Sequence, residues 1–321
     1  MNIEIITTPN EAMKETGFGT ITACNSVLEV IDELGHNVKL NICTTKDDLD
    51  EIIARKPDLV VLAVKYIVPD KGDNIWISDY FDKCEINYTG SPKGILDFDS
   101  NKILAKTQLR KKGIRTADFF TAIPGQYKNQ DELPIQFPLF IKPTDAANGQ
   151  GVDDSSFVTN FSDFKDKVLS IYKLFCAPAL VEEYLGGREF TVSIIKQNNN
   201  NFIVSPVEIV PKKSTKGLRI LGEKAKKDDL EEFIKIDNEE LKSRIKGLAI
   251  ESFVGLNVKD YGRIDIKTNQ SGDCFFMEAN LVPGMTYGSS YFPKSCKIEN
   301  ELNYEKVVEL MIAQGISRVE L

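Results

Sequence analysis

Residues 261–286 read YGRIDIKTNQSGDCFFMEANLVPGMT, and the spacing of polar and apolar side chains there decides how the rest of the chain is read. Residues 261–267 alternate in character, residues 268–273 carry the Asn and Gly of a tight turn, and residues 274–279 are a second run with strand propensity. Two antiparallel strands are predicted, bringing Asp265, Glu278 and Asn280 to one end of one face. Two carboxylates and an amide offer oxygen donors only. That set suits a hard divalent cation such as Mg²⁺, which is held by one or two carboxylates together with substrate phosphates. The cluster therefore points to ATP. A solvated hairpin is the plain alternative, because Asp and Glu mostly occupy surfaces. Against it, Ile264, Ile266, Phe275 and Met277 give both strands an apolar face, so acids on the opposite face need a partner. Gly-Met-Thr and Gly-Ser-Ser follow as a backbone-permissive loop.

The bulk properties bound the alternatives. The 321 residues suffice for two or three domains, and 42% hydrophobic with 27% charged residues is the balance of a water-soluble globular chain. A formal net charge of −8 argues against a general nucleic-acid or anionic-membrane surface. No membrane-span-length run and no secretory signal is read, and six scattered cysteines without a C-x-x-C pair fit reduced thiols in a cytoplasm. The single histidine, His36, excludes zinc sites that need two and disfavours a Ser-His-Asp hydrolase. Lysine, arginine, carboxylates and a metal are left to carry the chemistry.

Elements follow from periodicity. Residues 2–7, 38–43 and the apolar run 58–64 predict strands, with helices over 20–34 and 47–55 between them: a small parallel α/β layer. A helix is predicted over 99–112, capped by Asp99 or Ser100. Short strands follow at 115–121, 138–142 and 156–159, a helix at 162–172, and strands at 179–184 and 188–196. Residues 212–229 are Lys- and Asp-rich without periodicity, a candidate lid, and helices close the chain at 238–253 and 304–314.

Three further signals bear on chemistry. Lys142 ends a strand before a loop containing Gly149 and Gly151, which can lay backbone N–H groups against phosphates; it is neither a Walker loop nor a Rossmann fingerprint. In LVEEYLGGREF, apolar Tyr184 and Leu185 flank Glu182 and Glu183, and Glu189 could accept from a ribose. Lys102 lies early in the 99–112 helix. Each alone reads equally as a solvated side chain.

In this order the segments FIKP, VEEYLGGREFTV, GRIDI and MEANLVPGMT resemble the ATP-grasp superfamily, and within it the D-alanine–D-alanine ligase family, from about residue 88 to the C-terminus. The resemblance implies an α/β fold, α+β in its C-terminal part. A small parallel N-terminal domain (1–95) would precede two sheet-containing subdomains (96–183 and 184–321) that clamp ATP. It implies that Lys102, Lys142 and Gly149 meet phosphates, that Glu182, Glu183, Tyr184 and Leu185 frame the adenine, and that Glu189 holds the ribose. Asp265, Glu278 and Asn280 would bind two Mg²⁺ ions, with Mn²⁺ the substitute. Arg263 and the backbone near Gly284 would stabilise a tetrahedral intermediate, Ser289 would lie near the second substrate's carboxylate, and Lys213 or Lys216 would reach the γ-phosphate from the lid. The implied activity is ADP-forming ligation of a small acid or amino acid to an amine through an acyl phosphate, by a cytoplasmic homodimer with no nucleic-acid or membrane partner.

The front of the chain departs from the family. TTPNEAMKETGFGT lacks the Gly-Gly segment, leaving Glu11 or Glu15 to replace the glutamate that grips the first ammonium. Lys65–Tyr66 stands where His-Gly is usual, and Asn148–Gly149 where a serine pair is usual. These departures gather on the first-substrate side, so an acid other than D-alanine is expected there. A non-catalytic nucleotide-binding module, or a phosphotransferase that stops at phosphorylation, are the alternatives.

Overall fold

The computed structural model describes residues 1–9, 17–144, 149–197, 201–214, 217–222 and 231–319. Strands β1 (Asn2–Thr7), β2 (Asn37–Ile42) and β3 (Leu59–Leu62) form a parallel sheet in the order β2-β1-β3, with helices α1 (Ile21–Glu33) and α2 (Lys46–Ala54) as the crossovers. β3 is buried along its whole length, as a parallel strand covered on both faces must be. Thr20 Oγ1 accepts from the Ala23 N–H to start α1, and a Thr45/Asp48 capping box starts α2. A short hairpin of β4 (Tyr66–Ile67) and β5 (Ile75–Trp76) leads to α3 (Ile77–Lys83).

Where one helix over 99–112 was expected, there are two, α4 (Lys93–Ser100) and α5 (Lys102–Lys111). Asn101 separates them in an extended conformation, and its Oδ1 caps the Leu104 N–H at 2.9 Å. Asp99 and Ser100 therefore do not cap. Both side chains turn to Lys65, whose Nζ lies 2.9 Å from Asp99 Oδ1 and 3.0 Å from Ser100 Oγ.

An antiparallel sheet follows, built from β6 (Phe119–Ala122), β7 (Leu139–Pro143), β8 (Phe157–Val158) and β9 (Ala179–Glu183) in the order β6-β9-β7-β8. Helix α6 (Phe161–Phe175) buries Phe164, Val168 and Ile171 against Leu139, Ile141 and Val181.

The largest sheet joins β10 (Glu189–Lys196), β11 (Phe202–Pro211), β12 (Glu231–Lys235), β13 (Tyr261–Thr268) and β14 (Cys274–Asn280), all antiparallel, in the order β12-β11-β10-β13-β14. Helix α7 (Glu239–Gly255) precedes β13, while α8 (Tyr291–Asn300) and α9 (Tyr304–Ser317) end the chain. Alternation sorts the strands. Phe190, Val192, Ile194, Ile264 and Ile266 enter one buried cluster with Ile245, Leu248 and Phe253 of α7. Glu189, Thr191 and Ser193 pair with Lys267, Asp265 and Arg263 and share the opposite face. Strands β11 and β12 and helix α8 were not predicted. The polar positions Ser193 and Ser205 obscure α8's docking, because they bond to Ser295 and Cys296 of that helix rather than to water.

Phe275 and Met277 were expected on the apolar face. A register shift at Asp265/Ile266 puts Phe276 opposite Ile266, so Phe276 is the fully buried residue. The bulge leaves Met277 half-buried and aims Glu278 to the same side as Asp265. Among the described residues no helix is long and apolar enough to cross a membrane.

Gly187 joins β9 to β10. Its N–H donates to Thr268 O at 3.0 Å, and a Cβ there would sit 2.4 Å from Asn269 O and 2.5 Å from Thr268 O. Gly187→Ala is expected to cost about 1–3 kcal/mol, read from urea unfolding. A wild-type midpoint would show that the turn can open without loss.

Candidate active site

One cavity of about 860 Å³ gathers residues from the two antiparallel sheets, from α5, and from residues 17–19 and 65–66 beside the parallel layer. Lys102 reaches it from α5, Phe140 and Lys142 from β7, Gly149 from the loop after β7, and Glu182, Glu183, Tyr184 and Leu185 from the end of β9. The large sheet adds Glu189, Arg263, Asp265, Lys267, Glu278 and Asn280, and the loop after β14 adds Gly284, Ser289 and Ser290. The volume suits a nucleotide-sized ligand.

At one end Phe140, Tyr184, Leu185, Ile209 and Met277 make an apolar slot. Tyr184 packs on Phe157 with ring centroids 4.5 Å apart. Glu183 is spent locally, its Oε1 accepting from the Asp118 N–H at 2.9 Å. Below the slot lies a buried ionic triad. Glu182 Oε1 is 2.7 Å from Lys106 Nζ and Oε2 is 2.7 Å from Lys142 Nζ, with Glu182 and Lys106 essentially inaccessible to water. Burial alone would raise the Glu182 carboxyl pKa, but the two ammonium groups outweigh it and hold it at about 2. Burial lowers Lys106, whereas for Lys142 the charges of Glu182 and Glu278 overcome burial and raise it. Lys106 was not anticipated. It stands one turn after Lys102 on α5, and its Nζ also donates to Phe276 O at 3.2 Å.

Asp265 and Glu278 face each other across β13 and β14, with Arg263 opposite Asn280. Asp265 accepts from Arg263 Nε at 3.0 Å, Arg263 Nη2 at 2.9 Å and Thr191 Oγ1 at 2.6 Å. Asn280 Nδ2 donates to Asp265 Oδ2 at 3.2 Å, which leaves Oδ1 as the amide atom available to a cation. Glu278 Oε2 lies 3.6 Å from Lys102 Nζ. Burial works against the Arg263 charge, but Asp265 outweighs it and raises the guanidinium pKa further. Among the described residues no group of three or more His, Cys, Asp or Glu side chains forms a metal cage. Two carboxylates and an amide are the incomplete set that fits a cation also held by phosphates.

Glu189 Oε2 is 2.9 Å from Lys267 Nζ, which leaves acceptor capacity on the carboxylate. A Cβ at Gly284 would lie 2.8 Å from Ser290 Oγ, so a side chain there would displace that hydroxyl from the Thr286 N–H it accepts from. Asp99 Oδ2 accepts from the Leu281 N–H at 2.7 Å, tying the Lys65 pair to the loop after β14. Lys213 does not join this group: it is exposed and outside the cavity, and among the described residues of that segment the basic one that lines it is Arg219, whose Nη1 donates to Pro211 O at 2.7 Å. Lys216, Glu11, Glu15 and Asn148 lie outside the described residues. Tyr291, also unanticipated, closes the cavity beside Arg263.

The Glu182 shift has a pH consequence. The folded-state pKa is depressed from 4.5 to about 2, so the stabilisation is fully present above pH 4.5 and lost as pH falls toward 2. Urea midpoints should fall over that window in the wild type. In Glu182→Gln the neutral-pH stability should drop by about 3–5 kcal/mol and this acid-side loss should disappear. An unchanged acid slope in the variant would assign the loss to other carboxylates.

Comparison with known proteins agrees with this architecture. Residues 108–313 match the family model described as D-ala D-ala ligase C-terminus. The D-alanine–D-alanine ligase of Aquifex aeolicus is 27% identical over 290 residues, covering 89% of this chain and 92% of that protein. D-alanine–D-alanine ligase B of Clostridium perfringens is 25% identical over 301 residues, covering 93% and 94%. In fold, the chain is similar to the D-alanine–D-alanine ligase from Bacillus anthracis crystallised with ATP, with a TM-score of 0.76 at 23% identity over 100% of this chain and 99% of that one. The chain belongs to the D-alanine–D-alanine ligase family and is an ATP-grasp ligase.

Proposed function

We propose that the protein is an ADP-forming carboxylate–amine ligase that binds ATP in the cavity and works through an acyl phosphate. The observation that carries this is the meeting of Asp265, Glu278 and Asn280 with Lys102, Lys142 and Arg263 around one space. Units 96–183 and 184–321 close on the nucleotide from either side. Phe140, Tyr184 and Leu185 take the adenine, with Glu182 and Glu183 fixing the strand end that frames it, and Glu189 accepts from the ribose. Lys102, Lys142 and the Gly149 backbone hold the phosphates, with Lys213 or Lys216 reaching the γ-phosphate only if the 212–230 segment brings them in. Asp265, Glu278 and Asn280 would hold Mg²⁺, which supplies neutralisation of the transferring phosphoryl group.

The acid's carboxylate oxygen attacks the γ-phosphorus and ADP leaves. The amine nitrogen, having lost a proton, then attacks the acyl carbon, and the tetrahedral species collapses with loss of phosphate. Arg263, with the backbone at Gly284, faces the developing oxyanion, and Ser289 meets the amine substrate's carboxylate. Enclosure in the cavity keeps water from the acyl phosphate.

The acid is proposed to differ from D-alanine. Lys65, only 4% exposed and ion-paired with Asp99 at 2.9 Å, stands at that end of the cavity. Such a paired, buried cation makes a different recognition surface from a neutral imidazole.

Glu278→Gln should lower ADP release by about a hundredfold or more, since several kcal/mol of metal-held charge stabilisation is removed. The assay is coupled ADP detection over a panel of D- and L-amino acids and hydroxy acids, D-alanine included. Wild-type ADP release by the variant, or the absence of any amine-dependent turnover in the panel, sinks the ligase reading. Fastest turnover with D-alanine as the acid sinks only the substrate reading.

A further inference from the structure

Arg263 spends one edge on Asp265, through Nε at 3.0 Å and Nη2 at 2.9 Å. This bidentate pair fixes the guanidinium within its plane and leaves the faces to be held by packing. Tyr291, the first residue of α8, lies over one face, with its ring centroid 5.2 Å from Arg263 Cζ. The ring is itself held on two sides. Phe233 meets it edge-on at 4.8 Å and 83°, and its hydroxyl donates to Glu231 Oε1. Glu231 opens β12 and is 8% exposed, and its Oε2 is buried with no hydrogen-bond partner among the described residues. A buried carboxylate with one oxygen unsatisfied is costly to keep. A purely structural clamp between β12 and α8 could be made by apolar side chains at no such cost.

The geometry points to Tyr291 as a positioning residue for Arg263: the ring covers one guanidinium face, and Glu231 fixes the ring through its hydroxyl. The inference rests on the role given to Arg263 above. The arginine faces the oxyanion only in one orientation, and a misplacement of an ångström is enough to lose rate. Tyr291 touches no reacting atom in this scheme and acts through the arginine.

The test combines a double-mutant cycle with a spectroscopic readout on the full chain. ADP release is measured with ATP, Mg²⁺ and whichever acid–amine pair from the panel turns over fastest. Tyr291→Leu should lower kcat by about tenfold with the KM for ATP within about twofold, in line with the loss of one desolvated cation–π contact. Tyr291→Phe, which keeps the ring but loses the hydroxyl's bond to Glu231, should recover only part of that rate. In an Arg263→Met background, itself slower by about a hundredfold, Tyr291→Leu should cost nothing further. In the ¹⁵N-labelled protein without ligands, the Arg263 Nε–H resonance, assigned by its loss in Arg263→Met, should carry a ring-current shift that Tyr291→Leu abolishes.

Additive losses in the cycle overturn the inference, as does an Arg263 Nε–H resonance unmoved by Tyr291→Leu. Wild-type turnover by Arg263→Met overturns the role of the arginine and the positioning claim together. The resonance shift then still reports whether the stack exists, so a failed mechanism is told apart from a failed geometry.

Discussion

Two carboxylates held face to face across neighbouring strands repel unless positive charge is brought to them, and the site is organised around meeting that demand. Asp265 and Glu278 are fixed in that relation by the β13–β14 register, which the bulge after Asp265 sets. Arg263 answers one carboxylate from its own strand, and Lys102 answers the other from α5. Lys102 begins that helix because Asn101 breaks α4 from α5 and caps the second. The geometry of the acids therefore reaches back to a single extended residue 164 positions before Asp265 in the chain.

The Lys106–Glu182–Lys142 triad is the second electrostatic centre and differs in kind. Both oxygens of Glu182 are matched at 2.7 Å, within a region sealed from water. It joins α5, β7 and β9 and leaves one net positive charge there. The Asp265 group faces the cavity and has capacity left over. Closed and open charge clusters thus adjoin in one cavity, linked by Lys102 and Lys106 one turn apart on α5 and by the Glu278 charge acting on Lys142. A closed cluster gives shape; an open one can act on a ligand.

A third ionic contact knits the units together. Asp99 joins Lys65, at the end of the parallel layer, to the Leu281 N–H in the loop after β14. This end of the cavity is where the chain departs from the family's motifs. The Lys65–Asp99 pair is thereby hydrogen-bonded to the loop that carries Gly284 and Ser289.

The sequence by itself determined what local chemistry can specify. Alternation along residues 261–267 placed Asp265 and Arg263 on one face, apolar runs marked β1 and β3, and the order of FIKP, EEYL, GRIDI and MEAN carried the family. It did not determine Phe276 as the buried residue of β14, because one bulge inverts an alternation that is otherwise reliable. Nor did it show Lys106, whose partner lies 76 positions away, or the Tyr291 ring over Arg263, or that Arg219 and not Lys213 reaches the cavity. A lysine, a tyrosine or an arginine reads as a surface residue until the element opposite is in place. Burial and pairing are properties of distance in space, and only the tertiary structure fixes those distances.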